Sequence, residues 1–484
     1  INNGSTLFFN ETTASNIVLA VGLGDITFGS SVTGGTLQLN GNTIFRSQTI
    51  TTTGGAKNFI TGERFNMQGT RSIIFDTAVG TDGDGIDLEV AAQTQSGDII
   101  KNGAGTVSLT NTFNNIGSTK TVTINAGTLE IGGSGRLQSG TSESSISNSG
   151  IFKYNSTADQ TLSGVISGAG ALTKDNTSTL TLSGLNTYTG ATTISDGTLE
   201  IGSAGKLGNG SYAGTIANDG ILDYNSSATQ TLTGVISGSG SLVLNGSGQL
   251  NLSVNNSFSG GVTVNNGTLG LEFSAIDGGP LTVNGGLVSG SIHDSFDNIS
   301  VSELSGSGGL IEASRRTFTV TQATNTTYAG VIQDLDGIVS GTNGTVFTKS
   351  GSGTLTLSGD NTYSKSTNVN GGTLEVSGAL YSIGTHTDSI INVDAAGTLD
   401  VTGAGSLGLG AVFDGTIANS GTFNYNSTTD QELSGIISGA GALTKDNTST
   451  LTLSGANTYT GATTVSSGIL LINNTTGSGT GTAA

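Results

Sequence analysis

Three stretches of this chain are near copies of one another, and such repetition restricts a chain to architectures that stack one supersecondary unit. Residues 167–202 read SGAGALTKDNTSTLTLSGLNTYTGATTISDGTLEIG, and residues 438–473 read SGAGALTKDNTSTLTLSGANTYTGATTVSSGILLIN. The core recurs at 351–376 as GSGTLTLSGDNTYSKSTNVNGGTLEV. Looser copies fill 237–271 and 102–132, the second with an insertion at Ser118–Lys120. A segment upstream repeats too: Ile146 to Gln160, Ile216 to Gln230 and Ile417 to Gln431 match one another. Leu199 and Leu269 lie 70 positions apart, as do Ile146 and Ile216. The chain reads as an array.

The unit is a short strand. In Ser178 to Gly184, Leu180 and Leu182 fall on one face and Thr179 and Thr181 on the other. Thr198 to Gly202 repeats this with Leu199 and Ile201 inward and Thr198 and Glu200 outward. Each run is about four to six residues long and is bounded by Gly, Asn, Asp and Ser, which tolerate turns. No stretch shows helical apolar spacing. One such strand cannot bury its own apolar face, so neighbouring coils must cover it and leucines must form ladders inside a tube.

These constraints predict an all-β protein, a parallel β-helix (β-solenoid) rod. Each 70-residue block accommodates roughly three coils of about 23 residues with three faces each, giving about 20 coils in all. The absence of Trp and the 5% aromatic content suit a narrow core. A single proline, Pro280, fits a chain made of continuous ladders, which have few places for a residue without an N–H. The alternative, a β-propeller, needs longer antiparallel strands and more aromatics. Asn186, Asn256, Asn361 and Asn457 share one repeat position, and Tyr188, Phe258, Tyr363 and Tyr459 share another. Stacked in register, the Asn residues would bond at turns, with the aromatics beside them.

The motif GSGTLTLSGxNTYxGxTTVxxGTL resembles the passenger-associated transport repeat of bacterial autotransporters, also called the autotransporter-associated β-strand repeat. The likeness covers 167–202, 351–376 and 438–473 closely, 102–132 and 237–271 more loosely, and roughly a third of the chain. The segment Tyr328 to Ile332 leading to Lys349–Gly353 looks like the family's lead-in. The resemblance implies an exported, surface-displayed right-handed parallel β-helix (β-solenoid) rod, a stalk or adhesin. The sequence carries nothing like the alternating ten-residue strands of a membrane barrel. A trimmed passenger, or the repeat used in another exported context, is therefore expected.

Charge and cysteine content agree with export. There is no Cys, and 15 basic against 34 acidic residues give a net charge of −19. Nucleic acid, whose phosphates need a basic face, is excluded as a partner. Only 10% of residues are charged, so the outer surface is mostly Thr, Ser and Asn. No run approaches 18 apolar residues, so no transmembrane helix is expected, and the chain opens at Ile1 without a basic and apolar leader. Expected partners are cell-surface or matrix glycans or proteins, or further copies of the chain.

Composition divides the chain. Residues 1–100 hold Phe8, Phe9, Phe28, Phe45, Phe59, Phe65 and Phe75, with Arg46, Lys57, Arg64 and Arg71, and read as a β cap or head. Residues 101–271 and 351–484 are β-helix repeats, and 272–350 is an irregular segment with larger loops.

Candidate chemistry is sparse. Asp82, Asp84, Asp87 and Glu89 offer hard oxygens to Ca²⁺ at alternating positions, against the simpler reading of a Gly-Asp turn with solvated carboxylates. Asp334 and Asp336 form a weaker version. Asp294, Asp297, Glu303, Glu312, Arg315 and Arg316 resemble the acid-and-base clusters of β-helical polysaccharide lyases and hydrolases, though an exposed loop explains them equally well. His293 and His386 have no metal-ligand spacing. The expectation is a non-enzymatic surface scaffold or adhesin, with a self-associating fibre subunit as a variant of it, and with no catalytic residue and no cofactor beyond Ca²⁺. The alternative is a polysaccharide lyase or hydrolase.

Overall fold

A computed structural model of the chain describes residues 6–9, 17–18, 26–28, 34–44, 48–67, 71–272, 276, 278–290, 298–313, 317–334, 344–380, 390–408 and 410–474. Among these the structure is strand and turn throughout, with one short 3₁₀ turn at Gly208–Gly210. Short parallel strands stack into a β-solenoid of about 18 turns. Contacts divide the chain into two compact units, Ile1–Ser241 and Leu242–Ala484. The described part of the first hundred residues is built from the same parallel coils, as in the pairing of Gln48–Thr52, Ser72–Thr77 and Asp98–Asn102.

In the first unit, three faces succeed one another along the chain. One carries Thr128–Gly133, Ile151–Ser156, Ala171–Lys174, Thr192–Ile194 and Ile216–Asn218. The next carries Gln160–Leu162, Thr179–Leu182, Thr198–Ser203 and Ile221–Ser226. The third holds Ser145–Asn148 and Ile166–Ser167 and, further up, Ser211–Tyr212 and Thr229–Leu232. The second unit repeats the plan, with runs such as Thr354–Leu357, Gly372–Val376, Gly397–Gly403 and Thr422–Ser427 stacked in order.

The expected alternation holds. Leu180, Leu182 and Leu199 are fully buried and Ile201 is nearly so, while Thr179, Thr181, Thr198 and Glu200 face outward. Leu162, Leu182 and Ile201 form one inner ladder, and Leu180 and Leu199 belong to another. Aromatics occupy the same interior: Phe152, Tyr154, Tyr188, Tyr212, Tyr425 and Tyr459 are all essentially inaccessible.

One expectation is corrected. Repeat copies do not stack on one another. In three turns Leu129 is carried to Phe152, Leu172 and Thr192. Leu199, the counterpart of Leu129 in the next copy, lies beyond Thr192 on the following face. These seventy residues therefore make about three and one-third turns, because the coils between Leu129 and Ile216 hold 19 to 24 residues in register rather than a uniform 23. Stacking occurs instead inside each copy. The Thr-Leu-Thr-Leu strand lies directly under the Gly-Thr-Leu strand of the same repeat: Leu180 under Leu199, Leu250 under Leu269, Leu355 under Leu374 and Leu451 under Leu470. Val107 under Leu129 is the same pair with the three inserted residues accommodated between them.

Candidate functional site

The residues that recur across the copies are mostly buried, so the recurrent site is an internal one. The strand entering each repeat turns its last alternate residue inward, and in four copies that residue is lysine. Lys101, Lys174, Lys349 and Lys445 are all fully buried. The Lys174 ammonium donates to the carbonyls of Asp175 (2.8 Å), Asn176 (2.6 Å) and Asp196 (3.3 Å). Lys101 binds the carbonyls of Asn102, Gly103 and Ala126, and Lys349 those of Ser350, Gly351 and Gly371, at 2.5–3.2 Å. Lys445 binds those of Asp446 and Asn447. Each lysine ties the turn it precedes, and in the first three cases also the turn one coil above. Burial pushes Lys101, Lys174 and Lys349 down to about 8 and lowers Lys445 as well. In the copy at 242–271 the position is Leu244.

Sequence reasoning missed these lysines because it assigned only apolar residues to the inward face. The signal was available: in Ala171-Leu-Thr-Lys174 the lysine has the same parity as the inward Leu172. An inward polar residue within a turn of free carbonyls has acceptors at hand.

The recurrent Asn and Tyr are likewise internal. Asn186 Oδ1 accepts the Ile166 amide (2.9 Å) while its Nδ2 donates to the Gly184 carbonyl (2.9 Å). Asn361 and Asn457 receive the amides of Ile332 and Ile437 in the same way. They bridge to the coil below rather than to each other, since their own counterparts lie several turns away. The Tyr188, Tyr363 and Tyr459 hydroxyls each bond the threonine four positions on, at 2.7–2.9 Å. The upstream segment has its own fixed set. Tyr154, Tyr224 and Tyr425 donate to the carbonyl four residues later. Gln160, Gln230 and Gln431 accept the amides of Leu137, Leu207 and Leu407 in the neighbouring coil.

The neighbours of the outward glutamates vary between copies. Glu130 pairs with Lys153 on the next rung at 3.2 Å and accepts the Ser108 hydroxyl. The matching rungs elsewhere are Glu200 beside Asp223 and Glu375 beside Asp400. Burial, together with the Glu375 charge, raises Asp400 to about 6.

The acidic residues singled out in the sequence are partly brought together. Asp84 and Glu89 flank the Lys57 ammonium at 2.7 and 3.4 Å, and Asp82 accepts the Lys57 backbone amide. Asp87 is buried and accepts the amides of Gly80 and Thr106. Lys57 thus pairs with two of the four carboxylates, Asp84 and Glu89, while Asp82 and Asp87 accept backbone amides. Among the described residues no group of three or more carboxylates or histidines is arranged to hold a metal. Asp334 accepts the amides of Thr345 and Ser364, fastening one loop to the next coil. Glu303 and Glu312 stand on different sheets, and Glu312 accepts from Gln333. Asp294, Asp297, Arg315, Arg316, Asp336, His293 and His386 lie outside the described residues.

The chain thus contains five self-stacked pairs of strands, four of them entered by a buried lysine, and one family model matches at each. The chain carries passenger-associated-transport repeats. They match at residues 99–131, 172–201, 242–271, 347–376 and 443–472, overlapping all five copies read from the sequence. The chain is also similar to an adhesin, BmaC autotransporter, of Brucella suis biovar 1 (strain 1330), at 31% identity over 280 residues. That likeness covers 48% of this chain and 8% of the relative, so the chain spans a small part of the relative's length. No solved structure matches the chain. Among the described residues no helix is long and apolar enough to cross a membrane, which leaves β-barrels unaddressed.

Proposed function

We propose that the chain is passenger material of an autotransporter, displayed on the outer surface of a bacterial cell, where it works as a non-catalytic adhesive scaffold. One observation carries the reading: the inward polar residues that recur in the repeats are committed to internal carbonyls and amides. Lys174, Asn186, Tyr154 and Gln160 all bond backbone of their own or the adjacent coil. They hold coils together, and the carboxylates that recur on the outer side, Glu130, Glu200 and Glu375, stand beside Lys153, Asp223 and Asp400 in turn. Outside, a Thr- and Asn-rich sheet surface meets its partner through many weak contacts, which multivalency turns into usable avidity. The similarity to an autotransporter adhesin supports this. Cell-surface or matrix glycans and proteins are the partners of this reading.

Beads coated with the full chain should adhere to epithelial monolayers, or to immobilised matrix proteins and glycans, at least ten-fold above beads coated with albumin. Absence of adhesion to every surface would overturn the proposal. Release of new reducing or unsaturated ends from a polysaccharide panel would favour the enzyme instead.

A further inference from the structure

The two near-identical blocks of the chain provide an internal control for what its surface does. In the first block, strands Thr141–Ser142, Gln160–Leu162, Thr179–Leu182 and Thr198–Ser203 lie on consecutive rungs of one sheet. Their outward row reads Thr141, Thr161, Thr181, Glu200, with Thr179 beside Thr198 in the next row. In the second block the matching rungs are Val412–Phe413, Gln431–Leu433, Thr450–Leu453 and Ile469–Ile472. Here the outward row reads Val412, Glu432, Thr452, Leu471, and Thr450 lies beside Ile469.

The inward residues barely change between blocks. Leu180, Leu182, Leu199 and Ile201 become Leu451, Leu453, Leu470 and Ile472. The outward ones change character: three polar positions, Thr141, Thr198 and Glu200, become Val412, Ile469 and Leu471, while Thr161 becomes Glu432. Val412 is 47% exposed, Ile469 57% and Leu471 47%, and on the same strand the inward Ile472 is 41% exposed, so for Ile469 and Leu471 it is the outward parity that counts. Leu471 and Ile469 stand on the last described strand, but they point away from the interior, so another coil stacked above would leave them outward. A strand apolar on both faces, as Ile469–Ile472 is, is characteristic of one covered on both sides. The same sheet carries a shallow groove lined by Ala411, Val412, Asp430, Glu432, Thr450 and Thr452. Asp430 accepts the Thr450 amide and Glu432 accepts the Ser454 hydroxyl; among the described residues neither carboxylate has an ion-pair partner.

We infer that this sheet face is a docking surface for an extended polypeptide segment in which two apolar side chains flank a lysine or arginine. Spacing and charge select that partner. Val412 and Leu471 are three rungs apart, about 14 Å at ~4.8 Å per rung. A β-strand laid across the rungs puts residues i and i+4 about 13 Å apart on one face, with i+2 midway. Its apolar ends then meet Val412 and the Leu471–Ile469 pair, and its central cation reaches Glu432 and Asp430. The inference goes beyond the adhesive reading and does not depend on it.

The test uses the full chain and a fluorescein-labelled dodecapeptide with a Leu-Thr-Arg-Thr-Leu core, followed by anisotropy. The arginine peptide should bind, and should weaken as salt is raised. A matched peptide with glutamate in place of arginine should bind at least ten-fold more weakly. The quadruple variant Val412→Thr, Glu432→Thr, Ile469→Thr, Leu471→Glu carries the residues of the first block at the same positions. It should unfold at the same temperature and lose at least ten-fold in affinity. No binding, equal binding of both peptides, or binding unchanged in the variant would overturn the inference. So would self-association in the absence of peptide that the four substitutions abolish, because the occupant would then be a second copy. Adhesion of beads bearing the quadruple variant, measured in parallel, separates failure here from failure of the adhesive reading.

Discussion

At the residue scale, side-chain parity decides what a position tolerates. Leu182 is fully buried between Leu162 and Ile201, whereas its neighbour Thr181 looks outward toward Glu200. Leu182→Asp would bury a carboxylate with no partner and should cost roughly 3–5 kcal/mol, as read by urea unfolding. Thr181→Asn should stay within about 0.5 kcal/mol, since it keeps a polar outward group without placing a second carboxylate opposite Glu200. Equal losses would mean that the two faces have been exchanged. The same parity separates Lys174, whose ammonium meets carbonyls inside, from Lys153, which stays outside and pairs with Glu130 and Asp175.

The element that defines each copy is a coil closed on itself, and one glycine fixes its geometry. Gly127, Gly197, Gly267, Gly372 and Gly468 open the upper strand of the five repeats, and all have φ between +62° and +74°. At Gly197 an added Cβ would sit 2.4 Å from the Asn176 carbonyl oxygen and 2.5 Å from that of Ser178. Left-handed backbone and close approach to the rung below therefore coincide. Gly197→Ala should destabilise by roughly 2 kcal/mol or more. Gly83→Ala, in an exposed loop with open space around it, should have little effect. Thermal unfolding of the two variants side by side is the check, and similar melting temperatures would remove the glycine from this role.

For the whole molecule, the buried lysines and tyrosines set how stability responds to alkali. Lys101, Lys174 and Lys349 titrate near 8 when folded, against about 10.5 in the unfolded chain. Between those values the unfolded chain holds more protons, so stability rises with pH, by at most about 3 kcal/mol per lysine. The buried tyrosines act in the opposite sense. Burial holds Tyr188, Tyr328 and Tyr363 well above their ordinary value of 10, so stability falls once unfolded tyrosines ionise above about pH 10. The urea midpoint should therefore climb from pH 7.5 to about 10 and decline beyond it. Replacing the three lysines by methionine should flatten the climb and spare the decline. A wild-type midpoint that falls steadily from pH 8 would contradict the burial of these ammonium groups.

By itself the sequence determined the all-β class, the parallel stacking and the repeat copies, because strand alternation and turn residues are local properties. Leu180, Leu182, Leu199 and Ile201 could be placed inside from their spacing alone. Three further things were decided by the tertiary structure. Coil length is a register between distant strands, so that Leu129 and Leu199 stand on different faces could not be counted from a period of 70. The lysine clamps depend on carbonyls such as that of Asp196, supplied 22 residues away by the coil above. Lys57, 25 residues or more before the carboxylates of its loop, comes between Asp84 and Glu89 only when one coil lies on the next. In each case the deciding contact joins residues a full turn apart, and local pattern carries no information about which residue a turn will bring overhead.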